Sequence, residues 1–231
     1  MSLRITHISP TIIHIKHDSK KELGRIMCRF QEHYESPFEE IRGKVFTLGQ
    51  LKQAYCDKKG SFTYFGGSVL PADWSGYNFP SWVLEPFNKG LFDPLQPEER
   101  DIVEALRAKS GRFYVIGTFG EGDTDPRGAL DHEICHALYY VNPEYKKEVD
   151  SLLAKANLAG LKSSLIDWGY SSDEQILLDE CHAYLSADYQ YLIDLKATDG
   201  MLKKDLENLK PVHVKLRKIK AKYGKEILEK N

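Results

Sequence analysis

The stretch from Ala129 to Leu138 constrains this chain more than any other, because it places two histidines four residues apart with a glutamate directly after the first. Residues four apart share one face of an α-helix, so His132 and His136 can bind one ion together. Two neutral imidazoles suit Zn²⁺, and Glu133 can take a proton from a water that the ion activates. The spacing therefore predicts a helix that carries a metal-dependent hydrolytic site.

The residues on either side of this motif favour a helix with one buried face. Most positions of the stretch are small or apolar, no charge lies between Glu133 and His136, and no proline interrupts the run. Asp125-Pro126 is expected to begin the helix, and Asn142-Pro143 is expected to end it. The alternative interpretation is an ordinary amphipathic helix whose two histidines and glutamate make structural hydrogen bonds.

Composition narrows the class of protein. With 231 residues and 42% hydrophobic side chains, the chain can form one domain with a sizeable core, and its net charge of −2 gives no general attraction to nucleic acid. The four cysteines are far apart and form no CxxC pair, so neither disulfides nor a structural zinc knuckle is expected. No apolar run is long enough to span a membrane. We expect a soluble, reduced, cytoplasmic protein without nucleic-acid or membrane partners.

Hydrophobic periodicity predicts strands and helices together before Leu130 and helices alone after it. The predicted strands cover residues 11–17, 45–46, 60–67 and 112–119. The predicted helices cover residues 19–35, 47–55, 96–109, 126–141, 143–157, 171–193 and 212–230. The aromatic-rich segment 71–86 and the segment 160–170 are predicted to be irregular. The basic last helix, with Val214 and Leu216 on its apolar stripe, is expected to dock on the core rather than on nucleic acid or a membrane.

These elements indicate an α+β fold in which a small mixed sheet in the N-terminal half packs on a mainly helical C-terminal half. We expect a single domain over residues 1–231. Within it, residues 1–111 form an α/β part of unknown role, residues 112–193 hold a strand, the motif helix and a third-ligand helix, and residues 194–231 form C-terminal helices.

A third metal ligand must come from elsewhere, because a catalytic zinc with one open position needs three protein ligands. Glu180 is the best candidate, since it lies in a predicted helix among apolar residues three, four and seven positions away. Burying an unpaired charge costs roughly several kcal/mol of folding free energy, so a carboxylate at this position needs a cation. An Arg or Lys partner is the alternative. His182 is a rival ligand, and Glu174 is a weaker one because a capping box with Ser171 explains it. Asp179 or His182 could also orient a ligand imidazole.

The motif HEICH at residues 132–136, followed by DECHAY at residues 179–184 on a later helix, resembles the gluzincin group of zinc metallopeptidases. The resemblance covers about residues 114–191. It implies a zincin-like domain in which His132, His136 and Glu180 bind zinc and Glu133 is the catalytic base. It also implies that the strand before the motif helix, residues 114–119, forms a sheet edge along which an extended substrate binds.

The predicted function is therefore hydrolysis of an amide bond in a peptide or protein substrate, with zinc as the cofactor. The donor that stabilises the oxyanion stays open. The candidates are Tyr184, Tyr140, Tyr189 and His213. Three other interpretations remain: a zinc-containing peptide-binding or regulatory protein, a hydrolase of a non-peptide amide or ester, and a metal-free interaction protein. The sequence leaves the substrate and the oligomeric state open.

Overall fold

A computed structural model describes residues 3–62, 64, 74–120, 128–195 and 200–228. The chain divides into two compact units, residues 1–130 and residues 131–231. The first unit contains a four-stranded mixed sheet and the second is mostly helical, which confirms the predicted mixed α/β arrangement at this level. The single zincin-like domain stays a prediction.

The sheet of the first unit has the strand order β1-β2-β4-β3. The strands are β1 (Arg4–Ser9), β2 (Ile12–His17), β3 (Gly76–Pro80) and β4 (Tyr114–Phe119). The β2–β4 pair is parallel, whereas β1–β2 and β3–β4 are antiparallel. Strand β4 thus has a partner on each side, so the expectation that residues 114–119 form a sheet edge is wrong. Strand β1 was not predicted, and β3 lies in the aromatic-rich segment that was expected to be irregular.

Four α-helices and a short 3₁₀ turn accompany this sheet among the described residues. They are α1 (Lys20–Glu35), α2 (Leu48–Lys59), α3 (Leu84–Asn88) and α4 (Pro97–Leu106), with the turn at Ser81–Val83. Helix α1 begins after Ser19, whose hydroxyl accepts a hydrogen bond from the backbone N–H of Glu22. It packs against β3 and β4, and a Cβ on Gly117 would lie 3.1 Å from Cε of Met27. Glycine there lets the helix approach the sheet closely.

Two of the predicted strands are absent from the described residues. Residues 45–46 have no strand partner, and Thr47 caps helix α2 through a capping box with Gln50. Gly60 ends the same helix at a φ of 77°, a left-handed conformation that glycine adopts readily. Residues 61–62 and 64 are not in a strand, and the other predicted positions, 63 and 65–67, lie outside the described residues.

A buried ion pair joins α1 to α4 in the first unit. Arg29 Nε donates to Glu99 Oε1 at 2.8 Å, and a second guanidinium nitrogen contacts Oε2 of the same carboxylate. Arg29 also donates to the carbonyl oxygen of Phe92 at 2.8 Å, and Glu99 accepts from the backbone N–H of Gln96 at 2.8 Å. The pair therefore contains both signs of charge and has additional hydrogen-bond partners, which is what burial of a salt bridge requires.

In the second unit, the regular secondary structure of the described residues is all helical, and short loops join the helices. They are α5 (Ala129–Val141), α6 (Pro143–Leu153), α7 (Ala159–Asp167), α8 (Glu174–Ala187), α9 (Tyr189–Leu195) and α10 (Gly200–Leu228). Helix α10 packs against α6, α7 and α8. The expected N-cap of α5 at Asp125-Pro126 lies outside the described residues, whereas Asn142 ends α5 and caps α6 through bonds to two backbone N–H groups.

Several helix boundaries differ from those predicted. The segment 160–170, expected to be irregular, contains most of α7. Helix α8 begins after Asp173, whose carboxylate caps it, so the predicted capping box at residues 171–174 is wrong. The long helix expected to reach residue 193 is interrupted at Asp188. In α10, Leu216 is buried but Val214 is 45% exposed, so the predicted apolar stripe is wrong at that position.

All four cysteines are free. None of the helices in the described part of the chain combines the length and the apolarity that crossing a membrane requires.

Candidate metal centre

Three side chains from α5 and α8 converge in the second unit. Nε2 of His132 lies 3.0 Å from Nε2 of His136. The first of these nitrogens lies 3.6 Å from Oε2 of Glu180, and the second lies 3.6 Å from Oε1 of the same carboxylate. These three residues form the one group of metal-ligating side chains found within the described residues. The structure therefore brings together the three residues that the sequence proposes as ligands.

The spacing of these atoms fits a small tetrahedral cation. Zinc–ligand bonds of about 2.0–2.2 Å at the tetrahedral angle place two ligand atoms about 3.3 Å apart. The two imidazole nitrogens, 3.0 Å apart, lie within a few tenths of an ångström of that value, and one ligand atom from each of the three residues lies within 4.8 Å of the other two. Two imidazole nitrogens and one carboxylate are also the donor set that catalytic zinc sites use. The residues present fit zinc in donor chemistry and in the separation of the two imidazole nitrogens.

A second carboxylate lies beside Nδ1 of each imidazole. Nδ1 of His132 lies 2.5 Å from Oδ2 of Asp188, and Nδ1 of His136 lies 3.1 Å from Oδ1 of Asp179. An ionised carboxylate can only accept hydrogen bonds, so in the neutral rings the proton sits on Nδ1. Both Nε2 lone pairs then point toward each other and toward Glu180. This is the tautomer that metal-bound histidines need, and such outer carboxylates usually enforce it.

The carboxylate of Glu180 supports the same interpretation. Its side chain is only 3% exposed, and Oε2 has no hydrogen-bond partner among the described residues. No lysine or arginine of the described chain forms an ion pair with Glu180 or Asp179, so the alternative of an ordinary buried salt bridge is not found there. Burying an unpartnered anion is costly, and a bound cation removes that cost.

The electrostatic environment of the cluster favours positive charge. Burial alone lowers the pKa of His132, but its contacts with the carboxylates of Asp188 and Glu180 outweigh burial and hold that pKa well above its usual value. Burial likewise lowers the pKa of His136, but the charges of Asp179 and Glu180 raise it to about 9. Burial raises the pKa of the Asp179 carboxyl, yet attraction to His136 leaves it lowered overall. A metal cation would satisfy the same field that otherwise attracts protons.

Glu133, the expected base, follows His132 on α5. It is buried, and its negative charge contributes to the raised pKa of the His132 imidazole. A carboxylate therefore lies close enough to the cluster to act on its charge, as general-base chemistry beside a metal needs.

The rival ligands are engaged elsewhere. His182 is fully buried with Nε2 2.7 Å from the hydroxyl of Tyr145 and Nδ1 3.4 Å from Asp179, so neither ring nitrogen reaches the cluster. Glu174 is paired with Lys162 at 2.6 Å. Of the two residues expected to orient a ligand imidazole, Asp179 does so for His136, whereas His182 contacts Asp179 instead.

Aromatic side chains stand beside the more accessible ligand. The ring of Tyr184 lies 4.8 Å from that of His132, and its hydroxyl lies 2.9 Å from the hydroxyl of Tyr170. Burial raises the pKa of Tyr184 to about 12, so it remains a hydrogen-bond donor at neutral pH. Among the proposed oxyanion donors, Tyr189 and His213 bond main-chain carbonyl oxygens. Tyr184 is the candidate whose contact with a ligand ring is seen.

The thiols of Cys135 and Cys181 adjoin candidate ligands in the sequence, but they are buried in the core. Cys135 precedes His136, and Cys181 follows Glu180. Both are fully buried, and burial raises the pKa of Cys135 to about 11 and that of Cys181 to about 12. Because adjacent positions on a helix face different directions, these thiols belong to the core of the unit and stay protonated.

Asp188 is the site residue that sequence reasoning missed. It follows Glu180 by eight residues, slightly more than two helical turns, so it lies near the same face of α8 and caps its C-terminus. That spacing could have drawn attention to it, but the expected helix continued past this position and gave the residue no special role.

No protein family, characterised protein or solved structure matches this chain in comparisons of its sequence and fold. The likeness to zinc metallopeptidases thus rests on the motif and on the geometry of the cluster.

Proposed function

We propose that this protein is a zinc-dependent hydrolase of the gluzincin type, acting on an amide bond in a peptide or protein substrate. The observation that carries the proposal is the convergence of His132, His136 and Glu180, with each imidazole held by its own aspartate. Zinc is the proposed cofactor because it prefers this donor set and this spacing.

Bound zinc would lower the pKa of a water molecule toward about 7 and polarise the carbonyl group of the substrate. The chain supplies the remaining steps. His132, His136 and Glu180 hold the ion, while Asp188 and Asp179 keep the two rings in the required tautomer.

The Glu133 carboxylate accepts a proton from the attacking water and donates it to the leaving amine, which is general-base and then general-acid catalysis by one group. Tyr184 is the proposed donor to the developing oxyanion, since its ring contacts that of His132 and its hydroxyl stays protonated.

Glu133 distinguishes a hydrolase from a protein that only binds. A zinc site that captures a peptide without turnover needs the three ligands but has no use for a buried carboxylate beside them. The intact HExxH motif thus favours catalysis over a binding or regulatory role.

The Glu133→Gln variant tests this proposal directly. We expect it to retain one zinc per chain by elemental analysis and to lose activity by about 10²–10⁴-fold, because the side chain keeps its size but no longer accepts a proton. Activity is measured with a mixed library of internally quenched peptides, with and without a chelator. Glu174→Gln is the matched control, since that residue is paired with Lys162 and should not affect turnover.

The outcomes separate the alternatives. Zinc without hydrolysis of peptides, esters or small amides by the wild-type protein would favour the binding or regulatory role. Hydrolysis confined to non-peptide amides or esters would favour the other hydrolase. Full activity in Glu133→Gln would contradict the assigned base, and a wild-type chain without affinity for zinc would contradict the proposal as a whole.

A further inference from the structure

A chain of three buried polar side chains extends from the candidate metal centre into the core of the second unit. Tyr145 lies with its hydroxyl 2.7 Å from Nε2 of His182, and Nδ1 of His182 lies 3.4 Å from Oδ1 of Asp179. The same Oδ1 lies 3.1 Å from Nδ1 of His136. Tyr145 and His182 are fully buried and Asp179 is nearly so, so water does not replace these contacts.

The hydrogen bonds of this chain can have only one direction if Asp179 is ionised. The carboxylate is an acceptor, so His182 donates to it from Nδ1 and must accept from the Tyr145 hydroxyl at Nε2. That arrangement has a neutral His182, which donates at one ring nitrogen and accepts at the other. One carboxylate oxygen thus lies within 3.4 Å of a ring nitrogen from each of two imidazoles, and only one of these imidazoles is a candidate ligand.

The orientation of the His182 ring is itself constrained. The ring of Tyr139 stacks on it with centroids 5.1 Å apart, and the ring of Tyr145 meets it nearly edge-on at 5.4 Å. The Tyr139 hydroxyl accepts from Lys146 Nζ at 2.7 Å and donates to Asp150. His182 therefore has a fixed plane as well as fixed hydrogen bonds, and the position of Asp179 depends on it.

We propose that His182 and Tyr145 are positioning residues of the metal centre, which act through Asp179 to present Nε2 of His136 to the ion. This inference rests on the proposed zinc centre. His182 holds Asp179, and Asp179 lies against His136, so His136 loses less conformational freedom when it binds a metal. Removing His182 should therefore weaken metal binding. A purely structural network would affect folding of the metal-free chain without affecting the metal.

Binding of Co²⁺, which replaces zinc and absorbs visible light, tests this proposal in the full chain. Tyr145→Phe removes one hydroxyl, and His182→Leu removes both polar contacts of the ring. His182→Asn restores an N–H donor close to the position of Nδ1. Tyr223→Phe is the matched control, because Tyr223 packs edge-on against Tyr145 and donates to Glu148, outside the network.

We expect His182→Leu to weaken Co²⁺ binding by about tenfold and to change its absorption spectrum, because metal affinity falls by about 10–100-fold when supporting residues around a site are lost. Tyr145→Phe should show a smaller loss in the same direction, His182→Asn should recover most of the affinity, and Tyr223→Phe should bind as the wild type does. Unfolding of each variant in chelator shows how much of any change is structural.

Equal Co²⁺ affinity and identical spectra in wild type, His182→Leu and Tyr145→Phe would overturn the inference while leaving the proposed hydrolase intact. Failure of the wild-type chain to bind Co²⁺ or Zn²⁺ would overturn both proposals. Absence of hydrolysis by a metal-loaded wild type would count against the proposed function alone, since these measurements concern binding and not turnover.

Discussion

Two clusters of buried charge, one in each unit, differ in how their charges are balanced. In the first unit Arg29 and Glu99 neutralise each other, and both make further hydrogen bonds to the main chain. In the second unit Glu180 and Asp179 are buried with two imidazoles but with no lysine or arginine partner among the described residues. The first cluster is complete, whereas the second contains excess carboxylate and an oxygen without a hydrogen bond.

This difference is the one expected between a cluster that serves the fold alone and a cluster that could bind an ion. A buried pair that closes on itself holds two helices in register and needs nothing from outside the chain. A cluster that buries anions around converging lone pairs is stable only if protons or a metal ion enter it. The contrast predicts that metal changes the stability of the second cluster and leaves that of the first unchanged. Four experiments test this, in order of decreasing effect.

Breaking the complete pair should have the largest effect on stability. Glu99→Gln leaves the Arg29 charge buried without its partner, and we expect the free energy of unfolding to fall by about 3–5 kcal/mol. Denaturant unfolding measures this change, which should be the same with zinc and with chelator. Glu98→Gln is the control, because its pair with Arg25 is about one-third exposed and should contribute less than about 1 kcal/mol. Similar losses for the two variants would contradict the structural role of Arg29 and Glu99.

Removing metal should destabilise the second cluster. Saturating zinc at 100 times its dissociation constant should stabilise the folded chain by about 2.7 kcal/mol, and chelator should abolish this gain. Hydrogen exchange should show added protection in peptides covering α5 and α8 but not in those covering α1. In Glu180→Gln the gain should vanish, because one of the three proposed ligands has been lost. Zinc protection that persists in this variant would exclude Glu180 as a ligand.

The outer aspartates should have a moderate effect on metal affinity. Asp188→Asn can keep a contact with Nδ1 of His132 but removes the negative charge that fixes the tautomer, so zinc affinity should fall by about 10–100-fold. Competition with a zinc-binding dye measures it. Asp194→Asn, on α9 and bonded to Gln190, provides a control for charge loss nearby in the sequence. An unchanged affinity in Asp188→Asn would show that His132 does not depend on that contact.

Helix caps should have the smallest effect, and it should be alike in both units. Ser19→Ala at the start of α1 and Asp173→Ala at the start of α8 each remove a side chain that bonds free backbone N–H groups, at a cost of about 1 kcal/mol. Thermal unfolding in chelator measures both. If the α8 cap alone proved sensitive to zinc, the binding energy would depend on the position of the whole helix and not only on its ligands.

The parts of the molecule that sequence predicted are those set by local spacing. The i, i+4 pair of histidines and the apolar surroundings of Glu180 are visible in the sequence because a helix repeats over few residues. Strand β3 was missed because its partner β4 is distant in sequence, and Gly76–Pro80 lacks polar alternation where it is buried. Strand β1 pairs with β2, the next strand in the chain, and was missed because its isoleucines, Ile5 and Ile8, do not alternate with a period of two. The pairing of β4 on both sides could not be seen for the same reason.

The outer part of the site shows a similar limit. Asp179 was identified because it adjoins Glu180, whereas Asp188 depends on where α8 ends, and helix ends are the least certain feature of a periodic pattern. The contact between Tyr145 and His182 joins two helices 37 residues apart, and no local pattern in the sequence indicates it. Spacing therefore identified the candidate ligands, whereas the residues beside them could be identified only from the fold.

The burial of Cys135 and Cys181 makes both thiols less reactive than their place in the sequence suggests. Thiolates compete strongly for soft metals and are the form that oxidants attack, yet both groups are fully buried and stay neutral. A rotation of about 100° between adjacent positions on a helix thus lets a cysteine adjoin His136 or Glu180 in sequence while it packs in the core.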